Sequence, residues 1–169
     1  AFAHQQAQKL TSRKGHLNEI QQTMAASLSA GVESIGLETI VKELQARFQE
    51  LNSNQQIALA METFKATRDI ARLGVSSSQT VSVMVTALQH EFDSMQIHNM
   101  RTAFVKNSRI TAPQSLAASY AAAIAKGNNF EGSNSGQSGN SGGSGPAGSD
   151  AGSGPGGSGG PGGSGPGGG

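Results

Sequence analysis

Glycine and proline are spread so unevenly along this chain that its two ends cannot obey the same folding rules. Of its 24 glycines only Gly15, Gly31, Gly36 and Gly74 precede Gly127, and of its five prolines only Pro113 does. The break divides the 169 residues into a body, 1–126, and a tail, 127–169. The tail carries just three apolar side chains other than proline, Phe130, Ala147 and Ala151, so burial there cannot offset the entropy of ordering. The body holds nearly all the rest and is long enough for one domain core.

Within the body, apolar residues recur at three- and four-residue steps, the signature of one buried stripe on a helix. Leu37, Ile40, Val41, Leu44, Phe48 and Leu51 form one such stripe, and Val81, Met84, Val85, Leu88, Phe92 and Met95 another. Ile57, Ala60, Met61, Phe64 and Ala71 make a third, and Leu17, Ile20, Met24 and Leu28 a fourth. Further helices are expected over 97–106 and 113–126, and a short, frayed one in the opening AFAHQQAQKL. Ser53…Gln56, Ser76…Gln79 and Thr111…Gln114 have capping-box spacing. Pro113 suits a first helical turn, and Gly31, Gly74 and Gly127 suit left-handed C-caps. No segment alternates as a strand would. The expected fold is therefore all-α, a small bundle of five to seven short helices followed by a disordered Gly/Pro/Ser-rich tail.

Charge and motif searches exclude more than they include. Twelve Lys and Arg face eleven Asp and Glu, and no basic run exceeds Arg13-Lys14, so no nucleic-acid footprint is present. No apolar stretch has the length of a membrane span or the layout of a signal peptide. The first residue is alanine, so the sequence reads as an excerpt of a longer chain. With no cysteine, disulfides and thiolate chemistry are both ruled out.

His4, His16, His90 and His98 lack the i, i+4 pairing of a zinc helix, and His90, Glu91, Asp93 and His98 read as solvated helix-face residues. Glu43 and Glu50 fall seven residues apart on the exposed side of one predicted helix, as solubilising charges. Ser76-Ser77-Ser78 reads as capping, since no nucleophile-elbow motif surrounds it. Met24, Met61, Met84, Met95 and Met100 are expected to fill the core rather than line a groove. The reading predicts a protein that is not an enzyme, with no cofactor, no metal and no small-molecule substrate.

The tail has a pattern of its own. Three GPGG units begin at Gly154, Gly160 and Gly165. Pro presets φ for the second position of a β-turn, and the following Gly accepts the positive φ of a type II turn. The turn motifs are Gly154, Pro155, Gly156, Gly157 and Ser158, then Gly160, Pro161, Gly162, Gly163 and Ser164. As a free polymer the tail would span roughly 35 Å. Drawn out fully it would reach about 145 Å. Such a segment between folded neighbours behaves as an entropic spring.

A helical unit beside a GPGGS array resembles the repeat units of spider silk proteins, the spidroins. The resemblance extends to the opening Ala1-Phe2-Ala3 and to QSLAASYAAAIAKG, Gln114 to Gly127. Spidroin repeat domains often begin with such a phrase and close with a Ser/Ala helix carrying a tyrosine. The GPGGS phrases look like the extensible motif of flagelliform capture-thread silk. Polyalanine blocks and a Ser-rich body are lacking, which points toward the more polar flagelliform, aggregate or pyriform products. The resemblance implies a secreted, extracellular chain in which this unit repeats in tandem, its partners being other copies of itself. It also implies a bundle that keeps the stored protein soluble and associates on processing. The competing reading is a soluble helical binding domain with a flexible C-terminal linker.

Overall fold

Helices form where the apolar stripes run, and they end where the backbone turns left-handed. The structure, a computed structural model, describes residues 2–131; the turn motifs from Gly154 to Ser164 lie outside the described residues. Seven helices follow in order among them: α1 Phe2–Gln8, α2 Lys14–Ser29, α3 Ser34–Phe48, α4 Ser53–Arg72, α5 Ser77–Gln89, α6 Ser94–Asn107 and α7 Pro113–Ala125. The described residues contain no strand, and the fold is all-α.

Short loops join successive helices, and the main packing is between every second helix. α2, α4 and α6 lie side by side in one row, and α3, α5 and α7 in another. Contacts of α4 with α5 and α3 join the rows, while α1 rests on α2 and touches α3. Far from fraying, α1 buries Ala3, Gln6 and Ala7. Leu44, Phe64, Ile70, Met84 and Phe104, from α3, α4, α5 and α6, belong to one apolar cluster and have no exposed surface. Gly36 lets α3 and α5 approach: a Cβ there would stand 2.6 Å from Val81 Cγ2. Glycine inside a helix costs about 1 kcal/mol against alanine, so its place in α3 reflects this close contact.

Helix ends follow the expected chemistry with shifted partners. The box predicted at Ser53…Gln56 forms one residue earlier, Gln55 N–H donating to Asn52 Oδ1 (2.9 Å) and Asn52 N–H to Gln55 Oε1 (3.0 Å). Gln56 is thereby freed to donate to the carbonyls of Phe48 and Leu51 at the end of α3. Ser76 Oγ accepts from Gln79 N–H at 3.3 Å, but the Ser76 N–H goes to Gln114 Oε1 on α7 rather than back to Gln79. The Thr111…Gln114 box does not form: Ala112 is the N-cap, without a side-chain bond. Ser77 Oγ accepts from the Glu33 N–H (2.9 Å), so neighbouring serines cap two helices.

Gly31, Gly74 and Gly127 take positive φ as predicted. The stripe Val81 to Met95, by contrast, is not one helix. α5 stops at Gln89 with a pair of Schellman bonds, Glu91 N to Leu88 O and Phe92 N to Ala87 O, each 3.0 Å. The left-handed position is Glu91, φ 62°, where glycine would be unstrained. A side chain in this conformation costs on the order of 1–2 kcal/mol. Glu91→Gly should therefore stabilise the fold by about 1 kcal/mol net of unfolded-state entropy. Urea denaturation should show this as a raised midpoint at unchanged slope.

The core also continues past residue 126. Phe130, assigned to the tail by composition, is 1 % exposed and joins the same apolar cluster. The folded unit thus extends beyond residue 126 to include Phe130.

Candidate functional site

Two places on the body combine shape with chemistry: the seam between α4 and α6, and the end of the bundle where the chain leaves α7. At the seam, α4 presents Glu62, Lys65 and Asp69 on one face because these residues recur at three- and four-residue steps. α6 answers with His98 and Arg101. Arg101 Nη1 donates to Asp69 Oδ2 at 3.3 Å, and Nη2 to Glu62 Oε1 at 3.2 Å. Nη2 also lies 3.0 Å from His98 Nδ1, which must accept because guanidinium has no acceptor. His98 Nδ1 is 3.4 Å from Glu62 Oε1, and with its lone pair turned to Arg101 it shares no proton there. Lys65 and Arg68 complete the neutralisation of Glu62 (3.8 Å) and Asp69 (2.8 Å). Each carboxylate is met by more than one cation, so the network pins α4 to α6.

Beside this network lies an open cleft of about 340 Å³. Ala58, Met61 and Met95 form its apolar wall, with Glu62, Lys65 and His98 at the polar edge. Met95 is 62 % exposed, which corrects its assignment to the core. Met24, Met84 and Met100 are fully buried as predicted, and Met61 is half-buried. The displacement follows from the break at Glu91: α6 restarts in a new phase, with Ile97 and Met100 inward and Met95 outward.

The other candidate residues are scattered. His4 Nδ1 pairs with Gln21 Oε1 (2.9 Å), His90 Nδ1 with the Thr86 carbonyl (2.9 Å), and His16 is half-buried. Glu43 accepts from Gln89 on α5 at 3.3 Å. Glu50 falls beyond the end of α3, so the two glutamates do not share a helix. Among the described residues no group of three or more His, Asp or Glu could hold a metal ion. No described helix is long and apolar enough to cross a membrane.

At the chain exit a ladder of aromatic rings is assembled from four elements. Phe104 of α6 meets Tyr120 of α7 edge-on, centroids 5.1 Å apart at 79°. Tyr120 lies against Phe130 at 5.3 Å and 32°, and Phe130 meets Phe92 at 6.2 Å and 66°. Such contacts add about 0.5–1.5 kcal/mol each beyond area burial. Burial pushes the Tyr120 phenol up to about 12, and the hydrogen bond from Asn107 Nδ2 to its oxygen (2.9 Å) pulls the other way. Phe130 is fixed further by Asn99, whose Nδ2 donates to the Phe130 carbonyl at 2.9 Å. Composition hid this residue, although a lone phenylalanine just past a C-cap glycine was the available signal.

No protein-family model, no curated protein and no solved structure matches the chain.

Proposed function

We propose that this chain is one repeat of a secreted silk or glue protein, in which the bundle keeps apolar surface hidden until processing and the GPGGS array supplies extension. The observation that carries this reading is the division of the sequence at Glu131. Before it, apolar side chains close into one core; from Gly132 to Gly169 only Ala147 and Ala151 remain besides proline. A segment so composed has nothing to bury and a large entropy to lose on ordering, which suits an elastic link. The matching phrases Ala1-Phe2-Ala3 and QSLAASYAAAIAKG fall at the start of the body and on α7. A formal net charge of +1 leaves little repulsion between copies once they meet. Ile35 in the first turn of α3 and Ile110 just ahead of α7, 66 % and 86 % exposed, each offer an apolar contact to another copy.

Shearing and partial drying of the full chain tests the proposal. Light scattering should rise several-fold, and far-UV circular dichroism should report loss or rearrangement of helix. A chain that returns to monomer with its helical signal intact after both treatments would overturn the reading. A second reading is favoured by the cleft between α4 and α6, whose Met61 and Met95 suit a binding surface. In that case the bundle is a binding domain and the tail its tether.

A further inference from the structure

We propose that residues 128–131 form an exchangeable strap: the Phe130 side chain can leave its own slot and occupy the same slot on a second copy of this chain. The proposal goes beyond the silk reading and does not rest on it, because every element of it lies among residues 2–131 and none in the GPGGS array.

The strap is lightly tied. It belongs to no helix, and it follows Gly127, whose φ of 111° ends α7. Two of its own bonds are internal, Phe130 N–H to Asn128 Oδ1 and Glu131 N–H to Asn129 Oδ1. What holds it to the body is the Phe130 ring, the Asn99 bond to the Phe130 carbonyl and, at its hinge end, the Asn128 N–H bond to the Ala123 carbonyl of α7 (3.0 Å), which exchange of the ring can leave in place. Phe130 itself has φ 53°, an unfavourable conformation for an aromatic residue that release would relieve.

The slot, in contrast, is held without the strap. Phe92 is positioned by its N–H bond to the Ala87 carbonyl and by Arg47 Nη1, which donates to the Phe92 carbonyl (2.6 Å). Tyr120 is positioned by Phe104 and Asn107. Departure of Phe130 would leave two aromatic faces and one amide donor, Asn99, still in place.

The chain also determines what can refill the slot. From Gly132 onward there is no aromatic and no large aliphatic side chain, so the tail cannot cover it. A filler needs a ring followed by a carbonyl within reach of Asn99, and the Phe130 strap of another copy supplies both. Exchange of an identical element is a low-cost route to association. Where several copies are linked, weak individual exchanges would add by effective concentration.

The test uses the full chain carrying Phe130→Ala, labelled with 15N and titrated with a peptide of residues 126–133. Saturable shifts are expected at Phe92, Asn99 and Tyr120, and the peptide with alanine in place of phenylalanine should bind at least tenfold more weakly. Unlabelled wild-type chain should then shift the same residues. The proposal is overturned if the wild-type peptide gives no saturable shift, or if the wild-type chain gives none where the peptide does. Loss of the helical signal in Phe130→Ala also overturns it, because exchange needs a body that stays folded with its strap out.

Discussion

Phe64→Ala should cost the bundle about 3–5 kcal/mol, the range for removing a fully buried aromatic ring. Phe64 sits midway along α4 with no exposed surface. α4 is the helix that packs on α2 and α6 in its own row and on α5 across it, so its centre has contacts on every inward side. Collapse around the deleted ring would require both rows to move, and the cavity term should stay near the top of its range. Small domains have only about 5–15 kcal/mol in total. Urea unfolding of the variant should therefore show a midpoint far below the wild type, with the slope preserved if unfolding stays two-state. A loss under about 1 kcal/mol would mean that the two rows do not close on this residue as described.

The helical stripes were legible because a 3.6-residue period is a local property, and Leu37, Ile40, Val41 and Leu44 are all buried in α3. The three glycine stops were legible for the same reason, since only local backbone conformation decides them. The break between α5 and α6 was not. Leu88, Phe92 and Met95 continue the stripe's spacing straight through it, and the left-handed residue is glutamate rather than glycine. One signal did exist: Asp93 and Gln96 have capping-box spacing, and both reciprocal bonds form, at 2.8 and 2.9 Å.

Capping-box spacing is a property of a single helix, whereas Gln114 and Ser77 serve neighbouring helices. The two-row packing depends on contacts between helices far apart in sequence, which no window of residues reveals. Gly31-Val32 and Gly74-Val75 hint at it, because each pair opens the same turn into the second row with its valine buried. The GPGGS phrases lie outside the described residues. The aromatic ladder was hidden because Phe92, Phe104, Tyr120 and Phe130 come from separate elements.

The single tyrosine, with no tryptophan in the chain, makes that ladder directly observable. Absorbance titration of the folded protein should show phenol ionisation near about 12, and of the urea-unfolded chain near about 10. Between those values the unfolded chain has released a proton that the folded chain still holds. Unfolding is then favoured as pH rises, and stability should fall through the window from about 10 to about 12. A shift of this size corresponds to a loss of about 3 kcal/mol once both limits are passed. Tyr120→Phe should remove that part of the alkaline slope, which separates the phenol from the rest of the chain. The Phe130 ring covers one face of Tyr120, so Phe130→Ala should bring the ionisation back toward about 10. A phenol that still titrates near about 12 in that variant would place its burial with Phe104 and α6 alone, and the strap would then be a passenger on the ladder rather than its cover.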